Sequence, residues 1–179
     1  GVETWRASVD VPTEASAAAI DRVGDRNLLL VSAPVRATPP TLRQGDAGTV
    51  FVSSLFVAGK VYAVVDKGGT REVKTIAEKL TLPNGIEYHK GALYVATPKD
   101  ITRYDNIEAN LDKPPVPVMV YDKLPGDIPH GWKFIKVGPD GKLYVPVGAP
   151  CNICEPAEGY ARILRMNVDG SGVETVATG

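Results

Sequence analysis

The chain has little of what most catalytic and targeting motifs require. Its 179 residues include only two cysteines and two histidines. No GxSxG, HExxH, P-loop or GxGxxG motif occurs, so nothing supports a serine hydrolase, a zinc protease or a nucleotide-binding protein. The 20 basic residues nearly balance the 21 acidic ones, and neither sign forms a long run. The charge pattern therefore predicts neither nucleic acid nor a membrane surface as the main partner.

Long apolar segments are also missing. No window approaches the roughly 18 apolar residues of a membrane-spanning helix. The opening residues, GVETWRASVD, lack the basic segment followed by an apolar one that marks an export signal. We therefore expect no membrane span, and either a cytosolic protein or a mature form whose signal has been removed. The length suits one domain with a sizeable core.

Cys151 and Cys154 form the one CxxC motif of the sequence. A structural zinc site would need two further ligands, and covalent haem would need a histidine where Glu155 stands. A redox pair of the thioredoxin type begins a helix, whereas Pro150 and Pro156 flank this pair. A local disulfide, free thiols, and redox or metal chemistry all stay open.

A short phrase recurs three times, each time a turn glycine followed by an apolar run with Phe or Tyr. The copies read GTVFVSSLFVAGKVYAVVD from Gly48, GALYVATPKDITRYD from Gly91, and GKLYVPVGAP from Gly141, the last followed after a loop by ARILRMNVDG from Ala161. Their spacing is close to the roughly 40–50 residues of one propeller blade. We interpret each as an inner and a middle strand of a small antiparallel sheet. The pattern predicts an all-β fold, a β-propeller of four-stranded antiparallel blades; a β-sandwich is the alternative, but it does not predict this repeat length.

Turn and breaker residues refine this prediction. Gly138-Pro139-Asp140-Gly141, between WKFIKV and KLYVPV, predicts a hairpin. Helix is scarce, and the best candidate runs from Thr13 to Val23, ahead of a strand that begins at Arg26. The proline-rich segment LDKPPVPVMVYDKLPGDIPH cannot be a central strand in its first half, because proline cannot donate to the strand ladder. We interpret it as a long connection that brings His130 to a rim.

The number of blades is smaller than a closed propeller requires. We predict that residues 1–40 form an N-terminal extension with a first strand, and that residues 41–179 form the N-terminal blades of an incomplete propeller. Closure takes about four to eight blades, and six would need roughly 270 residues. An open stack would expose apolar faces between blades. We therefore expect a piece of a longer protein, or a second chain that supplies the missing blades.

His130 is the strongest candidate for a catalytic residue. It precedes the predicted inner strand WKFIKV, and loops at the starts of inner strands form a rim where propellers bind ligands. Imidazole is the side chain most often used as a general base. The alternative is a histidine that only packs or caps a turn. We expect His89, in the turn EYHKGA, to be exposed and without a role, and Trp132 to stack on a planar ligand or to belong to the core.

Three longer segments carry a family signature. They are PNGIEYHKGALYVA from Pro83, RYDNIEANLDKP from Arg103, and IPHGWKFIKVGPDGKLYVPVGAPCNIC from Ile128. The sequence resembles the soluble quinoprotein sugar dehydrogenases, most closely the L-sorbosone dehydrogenase-like branch. The resemblance implies a six-bladed propeller that binds pyrroloquinoline quinone (PQQ) and calcium. It also implies a periplasmic or secreted enzyme that oxidises an aldose or a sugar-derived aldehyde and passes electrons to an external acceptor.

The resemblance also implies roles for individual residues. His130, eight residues before Gly138, matches the base that takes the hydroxyl proton while hydride passes to the quinone. Asn84, Gly85 and Trp132 are implied as cofactor contacts. No metal ligand is implied in this chain, because the calcium ligands of the family lie in later blades.

The sequence departs from the glucose-oxidising members of that family at three positions. Pro83 replaces a glutamine, and Pro129 and Ala149 replace aspartates. Two other functions stay open. One is a calcium-dependent hydrolase of the lactonase type, also six-bladed, in which Asn84 would bind the metal. The other is a propeller that binds partners without catalysis.

Overall fold

The computed structural model describes residues 18–23, 26–31, 41–54, 58–126 and 130–179. Regular structure in these ranges consists of strands and one turn of 3-10 helix at Ile107–Asn110. No helix in these ranges is long and apolar enough to cross a membrane.

The first two strands form a hairpin of their own. β1 (Ala18–Val23) pairs antiparallel with β2 (Arg26–Val31). The strand predicted from Arg26 is therefore confirmed. The helix predicted from Thr13 to Val23 is wrong for its second half, and its first residues lie outside the described ranges. Pairing with β2 overrides the helical propensity of the alanines, as tertiary context often does.

The remaining strands form three antiparallel sheets of four strands, which we call blades 1, 2 and 3. Blade 1 has the order β3 (Thr41–Gln44), β4 (Val50–Ser53), β5 (Gly59–Asp66), β6 (Arg71–Leu80). Blade 2 has the order β7 (Gly85–His89), β8 (Ala92–Ala96), β9 (Ile101–Tyr104), β10 (Val118–Tyr121). Blade 3 has the order β11 (Lys136–Val137), β12 (Leu143–Val147), β13 (Arg162–Met166), β14 (Glu174–Thr178). The predicted all-β partial propeller is confirmed.

The recurring phrase does not lie where it was predicted. Its copies occupy the second and third strands of each blade, and the innermost strands are β3, β7 and β11, which neighbour one another. Alternating apolar residues have the same period in all these strands, so the pattern could not tell them apart. The predicted inner strand WKFIKV is a strand only at Lys136–Val137, although the hairpin after it is confirmed by the bond from Gly138 N to Lys142 O.

Two apolar cores hold the blades against each other. Leu93 and Val95 of β8 face blade 1, whereas Ala92, Tyr94 and Ala96 of the same strand face blade 3. This explains why every residue of β8 is buried. The core between blades 1 and 2 contains Phe51, Val61, Ala63, Ile76, Ile86, Leu93, Val95, Tyr104 and Ile107.

Glycines allow blades 2 and 3 to approach backbone to backbone. A Cβ at Gly85, the first residue of β7, would overlap the carbonyl oxygen of Lys133. A Cβ at Gly170, in the turn before β14, would overlap the carbonyl oxygen of Val120 on β10. The two blades therefore touch at the inner end and at the outer end of their interface.

Glu87 joins the innermost strands of all three blades. Its side chain on β7 is 3% exposed, and it forms ion pairs with Arg43 on β3 and with Lys136 on β11, the latter at 2.7 Å. The same carboxylate accepts a hydrogen bond from Val137 N at 3.2 Å. Arg43 also donates to the carbonyl of Ile135 at 3.4 Å. We call Arg43, Glu87 and Lys136 the inner ion cluster.

Glu108 joins blades 1 and 2 at the edge where the β3–β4 turn lies. Its carboxylate accepts hydrogen bonds from Ala47 N at 3.0 Å, from Thr49 N at 3.3 Å and from the Tyr88 hydroxyl at 2.7 Å. Burial raises the pKa of Glu108, but these hydrogen bonds outweigh it and hold the pKa below its ordinary value. Burial first, and then the bond to Glu108, raise the pKa of Tyr88 to about 12. This edge is therefore closed by satisfied hydrogen bonds.

We expect Gly170→Ala to destabilise the protein more than Gly141→Ala does. Both glycines have positive φ, 87° and 73°, so both substitutions carry the same backbone cost, about 1 kcal/mol. A Cβ at Gly141 meets nothing within 4 Å, whereas one at Gly170 overlaps Val120. Overpacking should add about 1–3 kcal/mol at Gly170. Urea denaturation of the full-length protein measures both; equal losses would show that the blades do not touch there.

We expect Glu87→Gln to lower the free energy of unfolding by about 1–3 kcal/mol, because it leaves the half-buried guanidinium of Arg43 without its carboxylate partner. Lys136→Gln is the matched control. The Lys136 side chain is 67% exposed, so its loss should cost less than about 1 kcal/mol. Denaturant unfolding of both variants of the full-length protein tests this. Similar losses in the two variants would contradict a central role for Glu87.

Candidate functional site at the entry rim

The innermost strands of the three blades begin at one edge of the stack, which we call the entry rim. Thr41 begins β3, Asn84 directly precedes β7, and Lys133 precedes β11. Ser53, at the end of β4, is the direct partner of Thr41, and its hydroxyl donates to the carbonyl of Asn84 at 3.3 Å. Polar residues from adjacent blades therefore meet at this rim.

Asn84 is 1% exposed and so is as fully buried as Ser53 and Lys133 beside it at the entry rim. Its Oδ1 accepts a hydrogen bond from Lys133 N at 3.3 Å. This bond fixes the orientation of the amide, because an amide nitrogen cannot accept. Nδ2 is then left without a hydrogen-bond partner among the described residues. Asn84 and Gly85 both contact Lys133, in the segment that carries His130. Their predicted role as cofactor contacts stays a prediction.

Thr41 adds a second unpartnered atom at the entry rim. It is 8% exposed, and its Oγ1 has no hydrogen-bond partner within the described ranges. Buried polar atoms are nearly always paired, so each exception calls for an explanation. Within these ranges the exceptions are Thr41 Oγ1, Asn84 Nδ2 and Arg162 Nε. Two of the three belong to the starts of innermost strands.

His130 lies at the entry rim, in the segment before β11 rather than in a strand. It is half-buried, and its carbonyl oxygen is 3.6 Å from the Cβ position of Gly148, just after β12. His89, by contrast, is half-buried as the last residue of β7, so the expectation of an exposed turn histidine is wrong. The two histidines therefore lie at opposite edges of the stack. Pro129 lies outside the described residues.

Trp132 is placed differently from Asn84. Burial alternates along the segment before β11: Trp132 is 38% exposed, Lys133 is buried, and Phe134 is exposed. Trp132 and Phe134 are therefore exposed on either side of the buried Lys133. Its predicted role as a cofactor contact stays a prediction.

Thr41 and the inner ion cluster were not predicted from the sequence. Glu87 stands in PNGIEYH among residues that the strand buries, and a carboxylate in an apolar strand was the available signal. Its partner Arg43 lies far away in sequence, so only the fold shows the pair. Thr41 has no local signal, because an isolated threonine at a strand start is common.

Cys151 and Cys154 are joined as a disulfide, with 5.9 Å between their Cα atoms. The pair lies in the loop between β12 and β13, which leaves the stack at the entry rim. Free thiols are therefore not the state that the structure shows. Within the described ranges, no three His, Cys, Asp or Glu residues are grouped to hold a metal ion.

Solved structures share this fold. The PQQ domain of pyranose dehydrogenase from Coprinopsis cinerea matches with a TM-score of 0.62 and 16% identity, over 75% of this chain and 34% of its own. The calcium structure of a Trichoderma reesei enzyme of Carbohydrate-Active Enzymes Family AA12 matches with a TM-score of 0.55 and 18% identity, over 96% of this chain and 44% of its own.

Sequence comparison does not assign the chain to a family. A protein of Borreliella burgdorferi, described as uncharacterised, is 28% identical over 152 residues, which cover 79% of this chain and 38% of that protein. No model of a known protein family matches the sequence. The chain spans less than half the length of each of these proteins. At such identities the likeness shows the fold: the chain carries part of the β-propeller seen in the PQQ-domain and AA12 structures.

Proposed function

We propose that this chain is the N-terminal half of a PQQ-dependent dehydrogenase that oxidises an aldose or a sugar-derived aldehyde, of the sorbosone type. The observation that carries the proposal is the entry rim. There His130 lies on the same edge of the propeller stack as Asn84, whose amide nitrogen has no hydrogen-bond partner among the described residues. The fold match to a PQQ domain of a pyranose dehydrogenase supports it. A small sugar or sugar aldehyde is the proposed substrate, and an external acceptor would take the electrons.

The residues present fit PQQ, which is a planar quinone that carries carboxylates. Such a ligand needs hydrogen-bond donors for its oxygens and cations for its charge. Asn84 Nδ2 is a buried donor without a partner, and the inner ion cluster has two cations for one carboxylate. Asn84 would donate to a cofactor oxygen, Gly85 would keep the β7 backbone close to blade 3, and Trp132 would offer a ring face for stacking.

His130 would act as the general base in this enzyme. Bound PQQ would supply the hydride acceptor for the carbon that carries the reacting hydroxyl. The half-buried imidazole at the entry rim would take the hydroxyl proton as the carbonyl forms, which requires only that one ring nitrogen is unprotonated and within hydrogen-bond distance of that hydroxyl. Water exclusion at this step would depend on the neighbouring loops.

Further blades would complete the site. Phe134 is 49% exposed, and Ile163 is exposed on the face of β13 opposite to Leu164, which packs on blade 2. Apolar side chains on the outer face of blade 3 would be covered by a following blade, from later residues or from a second chain. We propose that calcium and the remaining cofactor contacts belong to those blades. The disulfide supports a periplasmic or secreted protein, because disulfides persist in oxidising compartments.

The geometry of Asn84 suits the dehydrogenase better than the lactonase alternative. A calcium ion is bound by oxygen atoms. The side-chain oxygen of Asn84 already accepts from Lys133 N, and the atom without a partner is the amide nitrogen. The arrangement therefore favours a ligand that accepts hydrogen bonds over a metal ion.

We expect His130→Ala in the full-length protein, loaded with PQQ and calcium, to lower kcat/KM for sugar-dependent dye reduction by about 10²- to 10⁴-fold, because the general base is lost. PQQ affinity should be retained. His89→Ala is the matched control and should leave kcat/KM unchanged, since His89 lies at the opposite edge. Wild-type protein that reduces no dye with any aldose or sugar aldehyde would overturn the proposed function. Equal rates for His130→Ala and wild type would overturn only the role of His130.

A further inference from the structure

We infer that Thr41 is a further ligand-binding residue: at the entry rim where Asn84 also lies, its hydroxyl binds an oxygen atom of PQQ. The inference rests on the proposed function, because PQQ is the ligand it names. It extends the site to blade 1, to which neither the repeats nor the family resemblance assigns a contact.

The direction of the Thr41 side chain follows from strand pairing. Thr41 and Ser53 are direct partners in an antiparallel pair, so their side chains lie on the same face of blade 1. Ser53 faces blade 2, because its hydroxyl bonds to the carbonyl of Asn84. Thr41 therefore also faces blade 2, at the level of Asn84.

Arg43, a second residue of β3, independently indicates that Thr41 faces blade 2. Side chains two positions apart on a strand share a face, and Arg43 reaches across to Glu87 of β7. Thr41 lies two positions before Arg43, and Gly85 lies two positions before Glu87. Asn84 directly precedes Gly85. The hydroxyl of Thr41 therefore lies on the β7 side of the rim, where Asn84 also lies.

The chemistry of the two atoms selects the kind of ligand. Asn84 Nδ2 can only donate, and the Thr41 hydroxyl can donate as well. Neither has a partner among the described residues, although both are at least nine-tenths buried. Donors at the same rim suit ligands with acceptor oxygens, such as carbonyl or carboxylate oxygens. PQQ carries both kinds of oxygen.

The stability of the unliganded protein provides a readout that does not depend on activity. A buried hydroxyl without a partner destabilises the folded state, so its replacement by an apolar group of the same shape is neutral or stabilising. If a residue serves binding, its replacement should leave the unliganded protein at least as stable and should weaken ligand binding. If a residue serves structure, its replacement should make the unliganded protein less stable and leave ligand binding unchanged.

The experiment compares three variants of the full-length protein. Thr41→Val removes the hydroxyl and keeps the shape, Thr41→Ser restores the hydroxyl, and Thr102→Val is the control. Thr102 is half-buried on β9, and its hydroxyl donates to Val95 O at 3.5 Å within its own blade. Calorimetric titration with PQQ, in calcium-containing buffer and without sugar, gives Kd. Thermal unfolding without PQQ gives the midpoint Tm.

We expect Thr41→Val to raise the Kd for PQQ about 3- to 10-fold, the value of one neutral hydrogen bond, and to leave Tm unchanged or higher. Thr41→Ser should return Kd towards wild type, and Thr102→Val should leave Kd unchanged. An unchanged Kd in Thr41→Val, or a lower Tm without PQQ, would overturn the inference and leave the proposed function standing. Wild-type protein that binds no PQQ would overturn the proposed function itself, and the inference with it.

Discussion

The buried carboxylate of Glu87 is the interaction on which the arrangement of the three blades depends. A charge at 3% exposure must be paired, and its two partners come from the innermost strands of the neighbouring blades. Those strands are short, and β11 has only two residues, so their own ladders fix little. The inner ion cluster therefore sets the positions of β3 and β11 relative to β7, and with them the geometry of the entry rim.

The two edges of the stack are built differently. At the edge of the β3–β4 turn, Glu108 satisfies two backbone amides and the Tyr88 hydroxyl. At the entry rim, Thr41 Oγ1 and Asn84 Nδ2 lack partners among the described residues. Satisfied bonds stabilise the fold, whereas buried groups without partners weaken it unless a ligand completes them. We therefore assign a structural role to the edge at Glu108 and ligand binding to the entry rim.

The sequence predicted the elements better than their positions. Repeated glycines, aromatic residues and the GPDG turn were enough for four-stranded antiparallel blades, because turn chemistry and alternation are local. They were not enough to separate an inner strand from a second strand, since both alternate with period two. The alanines before Val23 suggested a helix, which pairing with β2 overrides. At the site, His130 was predicted from its place before a strand and Asn84 from the family resemblance, whereas Thr41 and Arg43 depend on contacts between blades.

The entry rim combines one residue from each blade: Thr41 from blade 1, Asn84 from blade 2 and His130 from the segment that begins blade 3. Their separations therefore depend on how the blades pack, which the inner ion cluster and the backbone contact at Gly85 control. A ligand that bridges Thr41 and Asn84 would stabilise the interface between blades 1 and 2, because it would bind the packed state and not the separated one. Catalysis by His130 would in turn depend on the interface between blades 2 and 3. Substitutions in these interfaces should consequently affect binding and turnover even where they touch no ligand.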